Sequence, residues 1–428
     1  MKKIQSKLSV QNSLAQDALI AGVFEKIDND FKETIKTGKL TPKPLMICSG
    51  GTSSRCTANG HWTLDLRRNY QQIDFDNSNL TVEIGAGISM KSLLEELSKY
   101  NRTFPTGLSN IPGVGYILTG GISPLSRSQG LAIDQILEIK GVWGNGECFK
   151  ITKPVNTSSV SDHLTWRGLC GAAPFLGIVT NLTLRTYPLK PIIVWQATIK
   201  KEQLADAIIQ AENGPNTYSL QWIWGQQIKL YGVISGELDN INPAVIRLKK
   251  SLPFDSLFQA STVLGLRDIP PFSLDFPNQT DQGKLHCEVV SLLGPNWGSA
   301  CNHLVQSIEY LISIRPNKNC FIAAQQLGGA SGEVNKSFTS FIHRRAIWKP
   351  WINASWEAGN PKEKERSLNW LEEAWRALES NCPGVHLAQM HQHLYWHTKE
   401  TKKAFEDWLP GLHNLKSKYD PQGILPRL

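Results

Sequence analysis

The glycine-rich stretches between apolar runs are the strongest constraint on how this chain folds. The first follows the short run Ile47-Cys48 and reads Ser49-Gly50-Gly51-Thr52-Ser53-Ser54. Paired glycines let a backbone approach closely, and the N–H groups and hydroxyls that follow can hold an anion. Paired glycines before serines also close ordinary turns. This stretch alone therefore indicates either a turn or a cradle for a pyrophosphate.

Three more fragments follow in a fixed order, each beside or between predicted β-strands. They are Thr81-Val82-Glu83-Ile84-Gly85-Ala86-Gly87, Gly120-Gly121-Ile122-Ser123-Pro124-Leu125-Ser126-Arg127-Ser128-Gln129-Gly130-Leu131 and Gly171-Ala172-Ala173-Pro174-Phe175-Leu176-Gly177-Ile178-Val179-Thr180. None fits the competing nicotinamide pattern of a strand, Gly-x-Gly-x-x-Gly and a helix, with an acidic residue about 20 positions later. Nicotinamide binding is therefore disfavoured.

The order and spacing of these fragments resemble the FAD domain of the vanillyl-alcohol oxidase superfamily, especially its berberine-bridge-enzyme-like branch. The resemblance continues through Leu327-Gly328-Gly329-Ala330, Phe341-Ile342-His343-Arg344 and Trp356 to Lys416-Ser417-Lys418-Tyr419-Asp420-Pro421. It implies an α+β fold: a two-subdomain FAD-binding domain of the PCMH type and a substrate domain whose antiparallel sheet is covered by helices. It also implies an FAD-dependent oxidoreductase that passes hydride from a small organic substrate to flavin N5.

Prolines place the expected domain boundary. Pro188 and Pro191 separate one predicted strand from the next, so we expect an FAD-binding domain over residues 1–190 and a substrate domain over residues 191–400. Residues 401–428 would return to the FAD domain. An opening helix is predicted from apolar residues between Leu19 and Ile35.

The residues expected at the cofactor come from the glycine fragments and the closing segment. The first stretch would cradle the pyrophosphate, the second would lie against it, and Gly177 and Ile178 would line the adenine or ribose side. The full expected set is Ser49, Gly50, Gly51, Thr52, Ser53, Ser54, Gly113, Gly120, Gly121, Ser123, Gly171, Gly177, Ile178 and Tyr419.

The sequence departs from its relatives where many of them bond the flavin covalently. Thr52 stands where they carry a histidine, and no cysteine lies between Cys56 and Cys148, where some carry a second link. The Tyr-x-Asn segment common late in the substrate domain is not recognisable either. We therefore expect non-covalent FAD, and the alternative is a catalytically degenerate flavin-binding or ligand-binding protein of this fold.

Candidate catalytic residues come from one alternating strand and two family-like segments. In the strand from Lys284 to Val289, His286 and Glu288 share a face, which would supply a base if it looks toward the flavin and would otherwise be a solvated face. His343 falls in a family-like segment, where a structural role is equally open. Tyr395 could serve as a phenolic acid or base if desolvated.

Metal binding is not expected. His386, His391, His393 and His397 lie close in sequence but fit no zinc spacing, which predicts exposed or hydrogen-bonded histidines. The eight cysteines form no CxxC pair and are expected to be reduced.

Charge and hydropathy limit the partners. The net charge is +8, but Lys and Arg form no dense cluster, so a nucleic-acid binder is disfavoured. No apolar run reaches the length of a membrane span, and we expect a cytoplasmic protein without a membrane partner. Its partners would be a small-molecule substrate and oxygen or another electron acceptor, while the oligomeric state stays open.

Overall fold

The structure is a computed structural model that describes residues 45–52, 56, 63–109, 111–236, 243, 259–269, 285–390, 394 and 396–428. The helix predicted between Leu19 and Ile35 lies outside these residues. Two sheet-centred halves meet along several loops, and the expected mixture of helices and antiparallel sheets is confirmed.

The first half contains a parallel pair of strands and a five-stranded antiparallel sheet in the order β3-β4-β8-β6-β7. Its strands are β1 (Met46–Cys48), β2 (Thr63–Asp65), β3 (Ile73–Asp76), β4 (Thr81–Gly85), β5 (Arg102–Thr103), β6 (Ile136–Trp143), β7 (Cys148–Thr152), β8 (Gly177–Arg185) and β9 (Tyr187–Pro188). In β4, buried residues alternate with partly exposed polar ones, because one face of the strand packs into a core.

The described residues of this half form α-helices α1 (Met90–Ser98), α2 (Gly115–Leu118), α3 (Ser126–Gln129) and α4 (Val160–Leu176). The Ser89 hydroxyl accepts the Ser92 N–H and so caps the N-terminus of α1. Most of the glycine-rich stretch from Gly168 to Gly177 belongs to α4, and Gly177 itself begins β8. Only Cys170, Gly171 and Ala172 leave helical geometry there, because Gly171 takes a φ of +122°.

The second half is built on an eight-stranded sheet in the order β13-β10-β12-β11-β15-β16-β14-β17. Its strands are β10 (Pro191–Ile199), β11 (Tyr218–Trp224), β12 (Ile228–Ser235), β13 (Gln259–Leu264), β14 (Leu285–Leu293), β15 (Phe321–Gln326), β16 (Trp348–Glu357) and β17 (Gly384–Val385). Neighbouring strands are antiparallel throughout the described sheet.

Helices cover one face of this sheet: α5 (Leu204–Glu212), α6 (Cys301–Ser313) and α7 (Pro361–Glu379). Trp222, Trp297 and Trp348 pack together on that face, with the Trp297 and Trp348 rings stacked at 5.2 Å. The Trp348 indole N–H donates to Glu212 of α5 at 2.7 Å. The opposite face of the sheet turns toward the first half.

The closing segment contains two helices, α8 (His397–Phe405) and α9 (Leu409–Tyr419). Pro410 lies in the first turn of α9, a position that proline tolerates and that starts a new helix. α9 packs on α4 of the first half.

Buried arginines join the two halves. Arg344 donates from Nη1 to Oδ2 of Asp134 at 2.9 Å, and its Nη2 lies 2.8 Å from Oδ1. Arg127 donates to the Leu327 carbonyl at 2.8 Å and to the Gly214 carbonyl at 3.0 Å. Polar bonds of this kind fix the position of one half relative to the other.

Candidate active site

The first glycine-rich stretch leaves β1 and meets a second loop backbone to backbone. A Cβ on Gly50 would lie 2.2 Å from the Gly113 nitrogen, and one on Gly113 would lie 2.5 Å from the Gly50 nitrogen. The Ser49 hydroxyl donates to the Ala86 carbonyl at 2.6 Å, which holds the end of β1. Gly51, with a φ of +71°, and Thr52 are exposed beyond this contact, so their backbone is open to an anion. Ser53 and Ser54 lie outside the described residues.

The second glycine-rich loop turns at two positions with positive φ. Gly120 has a φ of +123° and Gly121 a φ of +71°. A Cβ on Gly121 would lie 2.3 Å from the Cβ of Ala132, so only glycine fits. The Ser123 hydroxyl accepts the Leu125 N–H at 3.1 Å, which means that it serves the turn itself.

The third fragment contacts the second half more closely than a cofactor surface would. A Cβ on Gly171 would lie 2.8 Å from the Ser340 Cβ and 3.0 Å from Leu387. Gly177 and Ile178 begin β8, where Gly177 lies against Phe149 and Trp143 and Ile178 is buried. Their approach to an adenine or ribose stays a prediction.

The closing segment is fixed by stacking and by a buried carboxylate. Tyr419 stacks on Trp143 with ring centroids 3.9 Å apart, and its hydroxyl lies 3.0 Å from that of Thr165. Asp420 accepts the N–H groups of Ile424 and Leu425. It is therefore an anchor for the tail as well as the end of a helix.

His286 and Glu288 face away from the first half. The register of β14 and β16 pairs His286 with Trp356 and Glu288 with Ala354, so all four side chains share one face of the sheet. Lys364 of α7 lies over the Trp356 ring, which identifies that face as the helix-covered one. These two candidate bases therefore lie on the face of the sheet opposite the one that meets the first half, and a catalytic role for them stays a prediction.

The other two predicted catalytic residues are not brought to a common site with them. The His343 Nε2 lies 2.7 Å from the Lys403 carbonyl of α8, and burial lowers the pKa of this histidine. That contact fixes α8 and favours the structural role that the sequence left open. Tyr395 lies outside the described residues.

A row of polar side chains, which sequence reasoning missed, crosses the face of the sheet that looks toward the first half. Five strands contribute one residue each in direct register, so the five side chains share a face. This polar row consists of Gln196, Tyr231, Gln221, Gln325 and Lys349. The Gln325 amide donates to the Ile122 carbonyl of the second glycine-rich loop at 3.4 Å.

A small cavity separates the polar row from the first half. Its volume is about 10 Å³, which is room for about one water molecule between the side chains as they stand. Leu108 and Pro124 line it from the first half, and Ser219, Gln221, Tyr231 and Gln325 line it from the sheet. Polar and apolar side chains from both halves of the molecule therefore converge at this point.

His386, which was not selected as a site residue from the sequence, lies at the end of the polar row. His386 follows β17, its N–H donates to the Ser291 carbonyl at 3.4 Å, and its side chain is buried rather than exposed. Its ring lies edge-on to Phe341, and its Nε2 lies 3.6 Å from where a Cβ on Gly120 would be. Burial and the nearby Lys349 hold the pKa of His386 well below its usual value.

Lys349 is buried at 9 % exposure beside this histidine. Burial lowers its pKa from 10.5 to about 8. The four histidines that lie close in sequence could have drawn attention to His386, but their spacing was compared only with that of zinc ligands. Nothing in the local pattern around Lys349 distinguishes it from a surface lysine.

The described part of the chain offers neither a metal-binding cluster nor a membrane-spanning helix. No group of three His, Cys, Asp or Glu side chains there could hold a metal ion. No helix there is both long and apolar enough to cross a membrane. The eight cysteines are all unpaired by disulfides.

Comparison with known proteins identifies the fold and the cofactor. Residues 26–152 match the FAD binding domain family. An uncharacterised FAD-linked oxidoreductase of Bacillus subtilis, YgaK, is 23% identical over 94% of this chain and 88% of its own length. Berberine bridge enzyme-like 24 of Arabidopsis thaliana is 23% identical over 74% of this chain and 61% of its own length.

Solved structures agree over most of the chain. Physcomitrella patens BBE-like 1 superposes with a TM-score of 0.75 at 20% identity, covering 90% of this chain and 85% of that one. A chitooligosaccharide oxidase superposes with a TM-score of 0.76 at 18% identity, covering 95% and 88%. At these identities the superpositions establish the fold.

FAD fits the residues that this chain presents. The contact of Gly50 with Gly113 leaves no room for side chains, which is what close approach of a pyrophosphate needs. Two residues before Leu108, the Thr106 hydroxyl is buried without a hydrogen-bond partner among the described residues, so a polar ligand group can satisfy it. Residues 26–152 thus match an FAD binding domain, the chain has the fold of the berberine-bridge-enzyme-like structures over most of its length, and its similarity to FAD-linked oxidoreductases supports an FAD-dependent oxidoreductase.

Proposed function

We propose that this oxidoreductase holds FAD without a covalent bond and oxidises a small organic substrate lying between Leu108, Pro124 and the polar row. The observation that carries the proposal is the direct register of five polar side chains on the sheet face that meets the second glycine-rich loop. A face buried between two domains is ordinarily apolar, because unpaired polar groups are costly there. Polar groups held in that position suit a ligand that will pair with them.

The side chains around the cavity divide the work of binding. The amides of Gln221 and Gln325 can each donate and accept a hydrogen bond, so they can orient a hydroxyl or amine. Leu108 and Pro124 exclude water from the opposite wall. The bound flavin supplies the hydride acceptor, and oxygen or another acceptor would then reoxidise it.

Non-covalent retention follows from the residues of the first glycine-rich stretch. A covalent bond to the flavin needs a ring nitrogen or a thiolate, and the Thr52 hydroxyl is neither. Cys48 is close to this loop, but burial and the neighbouring Cys56 raise its pKa and keep it a thiol. We therefore expect the flavin to depend on the folded chain.

Acid precipitation tests this retention directly. The purified protein should be yellow, all flavin should stay in the supernatant after denaturation in acid, and the intact mass should equal that of the polypeptide. Flavin in the pellet would contradict non-covalent binding. A colourless protein that takes up no added FAD in a fluorescence titration would contradict the cofactor assignment.

Anaerobic bleaching tests the oxidation. D-glucose, chitobiose and benzyl alcohol form a first panel, because proteins of this fold include a chitooligosaccharide oxidase and a glucose dehydrogenase. Loss of the yellow colour with one of them supports the proposal, and Gln325→Leu should then weaken binding of that compound while leaving FAD bound.

The second candidate is a degenerate protein of this fold that binds FAD or another ligand without catalysis. Its support is the position of His286, Glu288 and His343, none of which lies at the polar row. Stoichiometric FAD uptake without bleaching by an extended panel of alcohols, amines and sugars would favour it. The cytoplasmic location expected from the sequence stays a prediction.

A further inference from the structure

His386 and Lys349 form a buried pair at the end of the polar row that binding alone does not explain. Neither ring nitrogen of His386 has hydrogen-bond geometry with a described residue, although the Gln389 side chain is near enough to favour the charged form. A buried imidazole ordinarily pairs both nitrogens or leaves one to a ligand. The ring nitrogens are therefore able to form a hydrogen bond with a group of a bound ligand.

The neighbours of this ring come from both halves of the molecule. Gly120 of the second glycine-rich loop approaches from the first half, and the neutral ring of Phe341 lies edge-on to it. From the sheet, Lys349 is the charged group that acts on it. A Cβ at Gly120 would lie 2.9 Å from Phe341 and 3.6 Å from Nε2 of His386. The loop backbone therefore lies close to both rings.

Lys349 connects the histidine to the cavity. It is the direct cross-strand partner of Gln325, which lines that cavity. Directly opposed residues have Cβ atoms about 4.5–5.5 Å apart, so the lysine side chain starts one strand away from the substrate position. Among the described residues no carboxylate bonds to its ammonium group, which packs over the Trp351 ring at 5.1 Å. A buried cation without a counter-ion is costly, and it suits a site where negative charge develops during a reaction.

We propose that His386 accepts the proton that a substrate hydroxyl or amine loses as its hydride departs, and that Lys349 faces the negative charge formed there. The proposal rests on the function proposed above. In the step, the substrate O–H or N–H bond breaks and its proton joins a ring nitrogen of His386. The adjacent C–H bond breaks with its electron pair, which passes to the flavin, and a C=O or C=N bond remains.

The protonation states at neutral pH agree with these roles. The lowered pKa keeps the imidazole of His386 neutral and able to accept a proton. Lys349, with a pKa of about 8, is still mostly protonated at pH 7. Flavin reduction should therefore fall at acid pH as His386 becomes protonated, and fall again above about pH 8 as Lys349 loses its charge.

Histidine NMR tests the pair without any turnover. In the holoenzyme labelled at histidine, the resonance lost in His386→Gln should titrate below pH 6.5, and Lys349→Met should move that midpoint upward. His303→Gln, which removes an exposed histidine from α6, is the matched control and should leave the resonance unchanged. A midpoint that Lys349→Met does not move would overturn the pairing.

Flavin reduction tests the proton transfer. With the member of the D-glucose, chitobiose and benzyl alcohol panel that bleaches the wild type, His386→Gln should slow reduction by about 10²–10⁴ and abolish the acid limb of the pH profile. FAD content should be unchanged, and His303→Gln should reduce at the wild-type rate. A loss below about tenfold, or an acid limb that persists, would overturn the proposal. If no compound of an extended panel of alcohols, amines and sugars bleaches the wild type, the function proposed above fails and the proton transfer fails with it, while the NMR titration still decides the pairing.

Discussion

Lys349 shows how a single residue can be favourable for function and unfavourable for the fold. Its pKa falls from 10.5 in the unfolded chain to about 8 in the folded one. Between these values the unfolded state binds more protons, so stability rises as pH increases from about 8 toward 10.5. Below pH 8 the buried amine of the folded protein is charged, and the full cost of burying that charge lowers the free energy of unfolding.

The first prediction follows from this linkage. Lys349→Met should raise the free energy of unfolding at pH 7 by about 1–3 kcal/mol, since each pKa unit corresponds to about 1.4 kcal/mol. The difference between variant and wild type should shrink toward pH 10.5. Urea denaturation at pH 7, 9 and 10.5 measures it, and a difference independent of pH would mean that packing, rather than charge burial, sets the effect.

The side chains of His286 and Glu288 show what an alternating sequence pattern predicts and what it does not. The alternating pattern correctly places the two side chains on one face of β14. A period of two cannot say which face is covered by helices and which meets the other half, because both faces of β14 carry polar as well as apolar residues. Lys349 was unrecognisable for the same reason: its role depends on residues more than a hundred positions away, such as Gln221.

At the level of secondary structure, the sequence was most informative about the glycine-rich loops and the elements beside them. Strand, glycine turn and helix were predictable from local chemistry, as the Ser89 cap of α1 and the positive φ angles of Gly120 and Gly121 show. The kink at Gly171 was not predictable in this way. One glycine with a φ of +122° interrupts the helical geometry of α4 without ending the helix. Composition alone does not separate these outcomes.

The second prediction concerns the loop that contacts His386. Gly120→Ala should destabilise the protein by about 1–3 kcal/mol, because alanine rarely adopts a φ of +123° and its Cβ would lie 2.9 Å from Phe341. It should also weaken FAD binding in a fluorescence titration. Gly115→Ala is the control: a Cβ there meets nothing within 4 Å, and alanine is favoured in α2. Equal losses in the two variants would contradict the strain assigned to Gly120.

At the scale of the whole molecule, the position of one half on the other decides whether the polar row meets the glycine-rich loops. The Asp134 and Arg344 ion pair joins the halves and is almost wholly buried. Buried pairs of this kind contribute more to specific geometry than to net stability. Arg127, bonded to carbonyls of the second half, acts in the same way.

The third prediction is a double-mutant cycle on this pair. Arg344→Met should cost about 3–5 kcal/mol, since it leaves the Asp134 carboxylate buried without its cation. Adding Asp134→Leu should recover most of that loss. The double variant should nonetheless bleach more slowly with its substrate, because the loops and the sheet are no longer held in one geometry. Full stability together with full activity would show that the pair has no positioning role.

The tail of the chain has a consequence for the order of biosynthesis. The Leu45 N–H donates to the Ile424 carbonyl at 2.6 Å, so the start of β1, which leads into the first glycine-rich stretch, is completed by residues near the other end. A nascent chain still missing residues 409–425 cannot close this contact. Flavin capture is therefore expected only after α9 and Ile424 have been synthesised, and chains stalled before α9 should stay colourless in the presence of FAD.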